Sequence, residues 1–458
     1  MTFSLFHWFG LIATVAVAMG LGIRGGTGSR TAEGFSLGGR SSGVAVIAGG
    51  IAGTVIGGAA TIGTAQMAYA MGLSAWWFTL GCGLGFVLIG RFFARPLRKS
   101  GLETISQYLV INYGKAAGPI ASIASSLGIL FSAVASSLSG IHLVAGLFGI
   151  GPAVSAVVIV VLVLGYVLVG GMKGAGLAGL FKLAVIWGTL FAAGAVAVTM
   201  LAKVPDFATR FPFQPWFNLM GSGVLQSCAH LFSLIVGIIC TQTYIQALYA
   251  ASDSRTAAAG AYTAALITIP VGLPSVAVGM AMRISHPDIA PILALPVFLM
   301  EHLPSTIAGI GIGGLLLSVV GSIAGLTLGI GTMISRDIGQ AILGIESDRR
   351  ILAINRTTVL LVTALSAFIA ASHLDSYVLD WNYMSMALRG SGIFLPLVLA
   401  ILLPRALHAS WAIAAMGVGT AAAVGGRLIL DLAVNPLYLG LGASGFLVIL
   451  GLLASRRS

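Results

Sequence analysis

A chain of 458 residues that is 58% hydrophobic and only 8% charged, with a mean hydropathy of +1.05, cannot cover a soluble fold of this size. Its long uncharged apolar segments also exclude a β-barrel, whose strands would alternate in short runs. The formal net charge of +11 sits in loops beside apolar spans, which marks membrane topology and not a nucleic-acid partner.

Apolar patterning predicts about thirteen transmembrane helices. They fall over roughly 4–22, 44–68, 77–95, 117–147, 153–170, 177–201, 221–250, 257–282, 307–335, 352–371, 377–403, 408–426 and 436–454. The first span lacks a basic lead and an obvious small-residue cleavage site, so it reads as a retained helix. The second carries Gly49, Gly50, Gly53, Gly57, Gly58 and Gly63. Glycine weakens a helix by about 1 kcal/mol per residue in water. In a membrane, that spacing permits close helix packing or a break that frees backbone groups at depth.

With the N-terminus outside, most of the 23 Lys and Arg fall on the cytoplasmic side, as the positive-inside rule requires. Lys203, Arg210, Arg283 and Arg427 lie outside, and Lys182 and Arg389 lie within the membrane. The loops near 202–220 and 283–306 are the longest external ones, and the second is apolar enough to fold back as short helices. Cys82, Cys228 and Cys240 show no paired spacing and read as core residues.

Five stretches together resemble the sodium:solute symporter family over nearly the whole chain. They are FSLGGRSSG (35–43), TIGTAQMAYAMGLSAWWF (61–78), GGMKGAGLAGLFK (170–182), QTYIQALYAASDSRTAAAGA (242–261) and LLLSVVGSIAGLTLGIGTMISRDI (315–338). The resemblance implies an all-α polytopic membrane protein with a five-plus-five inverted-repeat transporter core. The lead-in is 1–43, the first repeat 44–201, the second 202–403, and two extra helices with a basic tail fill 404–458. It implies alternating access, with a broken first helix in each repeat at Gly53–Gly58 and at Val236–Gly237.

The family's sodium ion lies between carbonyls of the first broken helix and oxygens of the eighth core helix. Carried over, the site is Gly53 and Ile56 with Ser318, Gly321 and Ser322. The last three share one helix face, and oxygen suits a hard cation. The competing reading is that Ser318 and Ser322 bond back to their own helix. Two departures are visible: Gly321 replaces a common serine, and Gly179 stands where the fifth core helix often carries an aspartate. Lys182 follows three residues on. An ammonium in the apolar core is costly, so Lys182 either snorkels outward or takes the missing cation's place, with proton coupling as the alternative to sodium. Members resembling acetate permeases carry a lysine there too.

Among the polar residues within spans, Arg389 offers a planar fork matched to a carboxylate. One reading is therefore a small carboxylate or amino-acid-like solute bound by Arg389, and the equal alternative is a structural role for Arg389 with Asp380 or helix carbonyls. Gln66, His142 and His230 are further substrate candidates, the histidines reading equally as bonded to neighbours. Positions aligned with the family's sugar contacts are Ala60, Leu234 and Gly237, too apolar for a sugar. Gln242 and Gln246 form an i, i+4 pair suited to capping contacts.

No HExxH, carboxylate pair, phosphate loop or nucleophile elbow is present, so an enzyme is not expected. The chain's end at Arg456–Arg457–Ser458 leaves no output domain, which makes a sensor the lesser expectation. The expected protein is a cation-coupled symporter of the bacterial or archaeal inner membrane with its C-terminus in the cytoplasm. It needs no cofactor beyond a coupling ion (sodium first), and its partners are a small solute and the lipid bilayer, with no obligate protein partner.

Overall fold

A computed structural model describes residues 3–26, 32–430, 432 and 434–455, apart from the side chains of 23, 25, 26, 32, 35, 168–176 and 428. Arg30 and the basic tail at 456–458 lie outside the described residues. The principal helices are α1 (Leu5–Gly26), α2 (Val44–Val55), α3 (Thr64–Met71), α4 (Trp77–Leu88), α5 (Ile105–Tyr113) and α6 (Ala117–Phe148). They continue as α7 (Pro152–Leu201), α8 (Val224–Ile239), α9 (Gln242–Tyr249), α10 (Ser254–Ser285) and α11 (Ala294–His302). The last five are α12 (Ser305–Met333), α13 (Asp348–Ala371), α14 (Val378–Leu402), α15 (Ala409–Val424) and α16 (Pro436–Ser455). No strand forms among the described residues, and one isolated bridge joins Ser42 to Ala251.

Among the described residues ten helices are long and apolar enough to cross a membrane, or eleven if the bent pair α8–α9 is one span. The expected thirteen is reached only by also counting α2–α3 as a broken span distinct from the helix that follows, and Pro152–Val167 as a short one.

The first break is visible in the backbone. Ile56 turns to ψ 73° while its N–H still closes on Ala52 O at 2.8 Å, but Gly57 N–H bends back to Val55 O at 2.9 Å. Gly53 O thereby loses the amide that would continue the helix. Helical structure resumes at Ala59. Gly57 must lack a side chain, since a Cβ there would overlap Ser322 Oγ of α12.

The second break lies later than the sequence suggests. α8 runs through Val236 and Gly237 to Ile239, and the chain breaks at Cys240–Thr241 with a bend of 40° into α9. Thr241 is extended (φ −89°, ψ 112°), and its Oγ1 donates to Gly237 O at 2.6 Å. A glycine inside a helix can serve packing alone: Gly237 lies flush against Met386 of α14.

Residues 152–201 run as helix in two apolar segments, Pro152–Val167 and Leu177–Leu201. Tyr166 Oη and Lys182 Nζ nonetheless lie 3.8 and 3.3 Å from where a Cβ on Gly321 would sit. A straight helix would hold them about 24 Å apart along its axis, so the two halves of α7 lie side by side against α12.

α6 serves as a ruler through the bundle. Ser122 meets Asp337 near one end, Ser132 meets α14 midway, and His142 meets Leu374 near the other. Ser122 and His142 are about 30 Å apart along the axis, the thickness of a bilayer core. Arg98, Lys99, Arg336, Arg349 and Arg350 cluster toward the Asp337 end in sequence, which we call the basic end. At the far end, 283–306 does fold as short helices: Pro291–Leu293 and α11, whose Leu295, Phe298 and Leu299 are buried. Cys82 and Cys240 are buried and Cys228 half-buried, and all three are free.

Candidate functional site

At the basic end the chain is closed by a polar lock. Glu103 takes a two-pronged salt bridge from Arg336, with both N···O distances 3.0 Å and side chains only 13% and 11% exposed. Asp337 accepts from Thr104 Oγ1 at 2.8 Å and Ser122 Oγ at 2.5 Å. Gln242 of α9 accepts from Ile105 N–H at 2.9 Å and donates to Glu103 O at 2.8 Å, capping the start of α5. Gln246 donates to Ser36 O and Thr332 Oγ1. The glutamine pair thus ties the second broken helix to the lock. Burial raises the Glu103 carboxyl above its usual value, and the Arg336 charge and hydrogen bond only partly oppose this.

Midway along α12 lies the region where the sequence places a sodium site. The structure does bring Gly53, Ser318 and Gly321 together, but around an ammonium, with Ser322 bonded to the neighbouring Thr54. Lys182 Nζ donates to Gly53 O in a short bond and to Ser318 O at 3.5 Å. Ser322 Oγ donates to Thr54 O, and Ser318 Oγ is buried without a hydrogen-bond partner. Ile56 forms the C-cap of α2, and its amide is spent on Ala52. Lys182 is 2% exposed and does not snorkel to either surface. Gly179 holds no space for an acid: a Cβ there would meet Gly49 O at 2.8 Å. That flush contact between α7 and α2 is what carries Lys182, one turn on, to the break.

Arg389 lies fully buried at the second break. Its guanidinium donates to Thr241 Oγ1 (2.6 Å), Ser132 Oγ (2.7 Å), Ser385 Oγ, Gly128 O (3.3 Å) and Ser385 O (3.3 Å). It forms no ion pair with Asp380, which instead faces the cavity described next. Lys182 thus meets a carbonyl near the C-terminal end of the first half-helix, where the negative end of a helix favours a cation, whereas Arg389 reaches the second break through the Thr241 hydroxyl.

A cavity of about 730 Å³ opens at the far end. It is lined by Asp375, Asp380, Tyr377, Trp381, Tyr383, His230, Gln226 and Arg427, among others. His230 bonds Gln226 at 2.8 Å and stacks flat on Tyr383 with centroids 3.7 Å apart. Deeper, beside the first break, a small pocket is lined by Thr54, Phe78, Ser132, Ser136, Tyr244, Asn382 and Met386.

The other sequence candidates divide by position. His230 reaches the large cavity. Gln66 accepts from Val378 N–H at 3.1 Å and donates to Ser376 O, and His142 contacts Leu374 O at 2.9 Å, so both hold the loop entering α14. Ala60 and Leu234 are fully buried, Leu234 against Gly81, and Gly237 is covered by Met386. Sequence reasoning missed Ser132, Ser136, Ser385 and Thr241. Their signal was faint: hydroxyls three and four residues apart in FSAVASSLSG read equally as helix packing.

The chain is 25% identical to the human high affinity choline transporter 1 over 89% of this chain and 75% of that protein. It is 27% identical to the Torpedo marmorata high-affinity choline transporter 1 over 72% of this chain and 60% of that one. The chain thus spans 60–75% of the length of these two relatives. Its fold is similar to that of a Na+-coupled sialic acid symporter solved in a substrate-bound outward-open state. That match has a TM-score of 0.82 and 18% identity, covering 100% of this chain and 98% of the other. A nucleobase-cation-symport-1 family transporter in a closed conformation is more distant, with a TM-score of 0.60 and 12% identity over 92% and 93% of the two chains. The fold is the five-plus-five inverted-repeat transporter fold. The relatives are transporters and not enzymes; sodium as coupling ion is consistent with them, and no cofactor is indicated. Residues 35–419 match the sodium:solute symporter family, and the chain, a multi-pass membrane protein built for cation-coupled symport, belongs to that family.

Proposed function

We propose that the chain moves a small organic cation across the membrane by alternating access, driven by a coupled cation gradient. The inverted halves are 44–201 and 202–403. The basic end faces the cytoplasm, so the N-terminus and the large cavity are outside and the C-terminus inside. The far cavity is then the entry, and the Glu103–Arg336–Asp337 lock closes the exit.

The observation that carries the substrate class is the lining of that cavity. Asp375 and Asp380 supply two negative charges against the one positive charge of Arg427, and Tyr377, Trp381 and Tyr383 supply aromatic faces. Carboxylates with aromatic rings suit a quaternary or protonated amine. The similarity to choline transporters supports the same class. A second reading, the carboxylate or amino-acid-like solute, is favoured by the lack of any ion pair to Arg389 among the described residues. It requires the solute to displace Thr241, Ser132 and Ser385 from the guanidinium, and this ranks it second.

The test is uptake into proteoliposomes under an imposed sodium or proton gradient, with radiolabelled choline as the quaternary ammonium probe and acetate and glycine as alternatives. Choline accumulation that acetate does not compete, with KM raised at least several-fold by Asp380→Asn, supports the reading. Accumulation of acetate or glycine without choline overturns it.

A further inference from the structure

We infer that the Lys182 ammonium is a built-in cation in the position that a sodium ion takes in this family, so that sodium does not bind between α2 and α12 here. The inference rests on the symporter reading for what the position means. It is tested by ion binding and not by transport, so the two fail separately.

The geometry begins with an orphaned carbonyl. The bend at Ile56–Gly57 turns the Gly57 amide toward Val55 O and leaves Gly53 O facing α7 and α12. A cation is the natural partner for carbonyls at the C-terminal end of a half-helix. Lys182 Nζ donates to that carbonyl and to Ser318 O of α12, bridging the two elements that a bound ion would join. The space is also prepared for the ammonium. Gly321 carries no side chain, and a Cβ there would lie 3.3 Å from Nζ. Gly179 lets α7 lie against Gly49 and Gly53, and an aspartate has no room there. Among the described residues no carboxylate pairs with Lys182, so the ammonium's charge rests on backbone dipoles alone. A sodium ion on the same carbonyls would meet a like charge at contact distance.

The cradle keeps acceptors that the lysine does not use. Ser318 Oγ is buried and unpartnered, and Ser322 Oγ sits on Thr54 O. With the lysine side chain removed, Gly53 O and Ser318 O lose their cation, and the hydroxyls of Ser318 and Ser322 on the same helix face add oxygen of the donor type that suits sodium.

The experiment is binding of radioactive sodium to the purified full-length protein by scintillation proximity. In the wild type, any sodium binding is expected to be unchanged by Ser322→Ala. Lys182→Ala is expected to gain one sodium per chain, and Lys182→Ala/Ser322→Ala to lose it again. A merely structural lysine would not produce a sodium site on removal. Sodium binding in the wild type that Ser322→Ala abolishes overturns the inference. So does a monodisperse Lys182→Ala protein that binds no more sodium than wild type. If Lys182→Ala does not fold, Lys182→Met replaces it, and the wild-type comparison with Ser322→Ala still decides.

Discussion

The Glu103–Arg336 pair is the most direct handle on alternating access. Its two bonds of 3.0 Å join a helix entry at the basic end to the end of α12, with both side chains largely buried. A hydrogen bond to a charged group contributes about 1.5–3 kcal/mol. Arg336→Gln removes the charge and one prong while keeping an amide donor. Opening the exit lets Glu103 regain water, so the full penalty of an isolated buried charge is avoided. The net loss is about 2 kcal/mol for the closed state, or roughly a 30-fold shift toward the inward-open one. The reporter is Leu328→Cys in a background with Cys82, Cys228 and Cys240 replaced by serine. Leu328 lines a second small pocket, with Lys182 and Thr243, and is 2% exposed. Labelling by a membrane-impermeant maleimide in inside-out vesicles should speed up by more than tenfold in Arg336→Gln. Unchanged labelling, or faster labelling only from the outer side, would refute the assignment of this pair as an exit lock.

Two further outcomes follow from the same structure. Glu103 has a raised carboxyl value because its burial outweighs the attraction of Arg336. A carboxyl held above its exposed value binds its proton more tightly when buried, so it favours the closed lock at low pH. That contribution is lost as pH rises through the raised value. Labelling of the Leu328→Cys reporter should therefore slow as pH falls through that raised value, and Glu103→Gln should flatten the profile; labelling that speeds up on acidification contradicts this. Arg389→Gln should cost about 3 kcal/mol or more in stability, since it withdraws a charged donor from Thr241, Ser132 and Ser385 at once. Thermal denaturation in detergent checks this. A variant that melts like wild type while losing only carboxylate transport would return Arg389 to the role of substrate anchor.

Some of this protein is written in the local chain. The apolar spans follow from residue hydropathy alone, because a bilayer tolerates little else. The glycines from Gly49 to Gly63 mark the first break, because six flexible residues in one span weaken the helix wherever it packs. The basic loops give the sequence its expectation of a cytoplasmic end through a rule that needs no contacts. The second break was misplaced because Gly237 carries the same letter as Gly57 but packs on Met386 inside an unbroken helix, while the real turn waits for Thr241.

The tertiary structure alone decided what the intramembrane cations touch. Lys182 reads in sequence as either a snorkelling residue or a substitute ion. Only the flush packing of Gly179 on Gly49 and Gly53 brings its ammonium to Gly53 O. Arg389 reads as a carboxylate fork, yet hydroxyls from two other helix elements, Ser132 and Thr241, converge on it together with Ser385 of its own helix. A local pattern sets a residue's depth and its cost, but the partners that offset that cost lie far away in sequence. Ser132 is reached only by packing α6 along α14, and Gly53 only by packing α7 across α2.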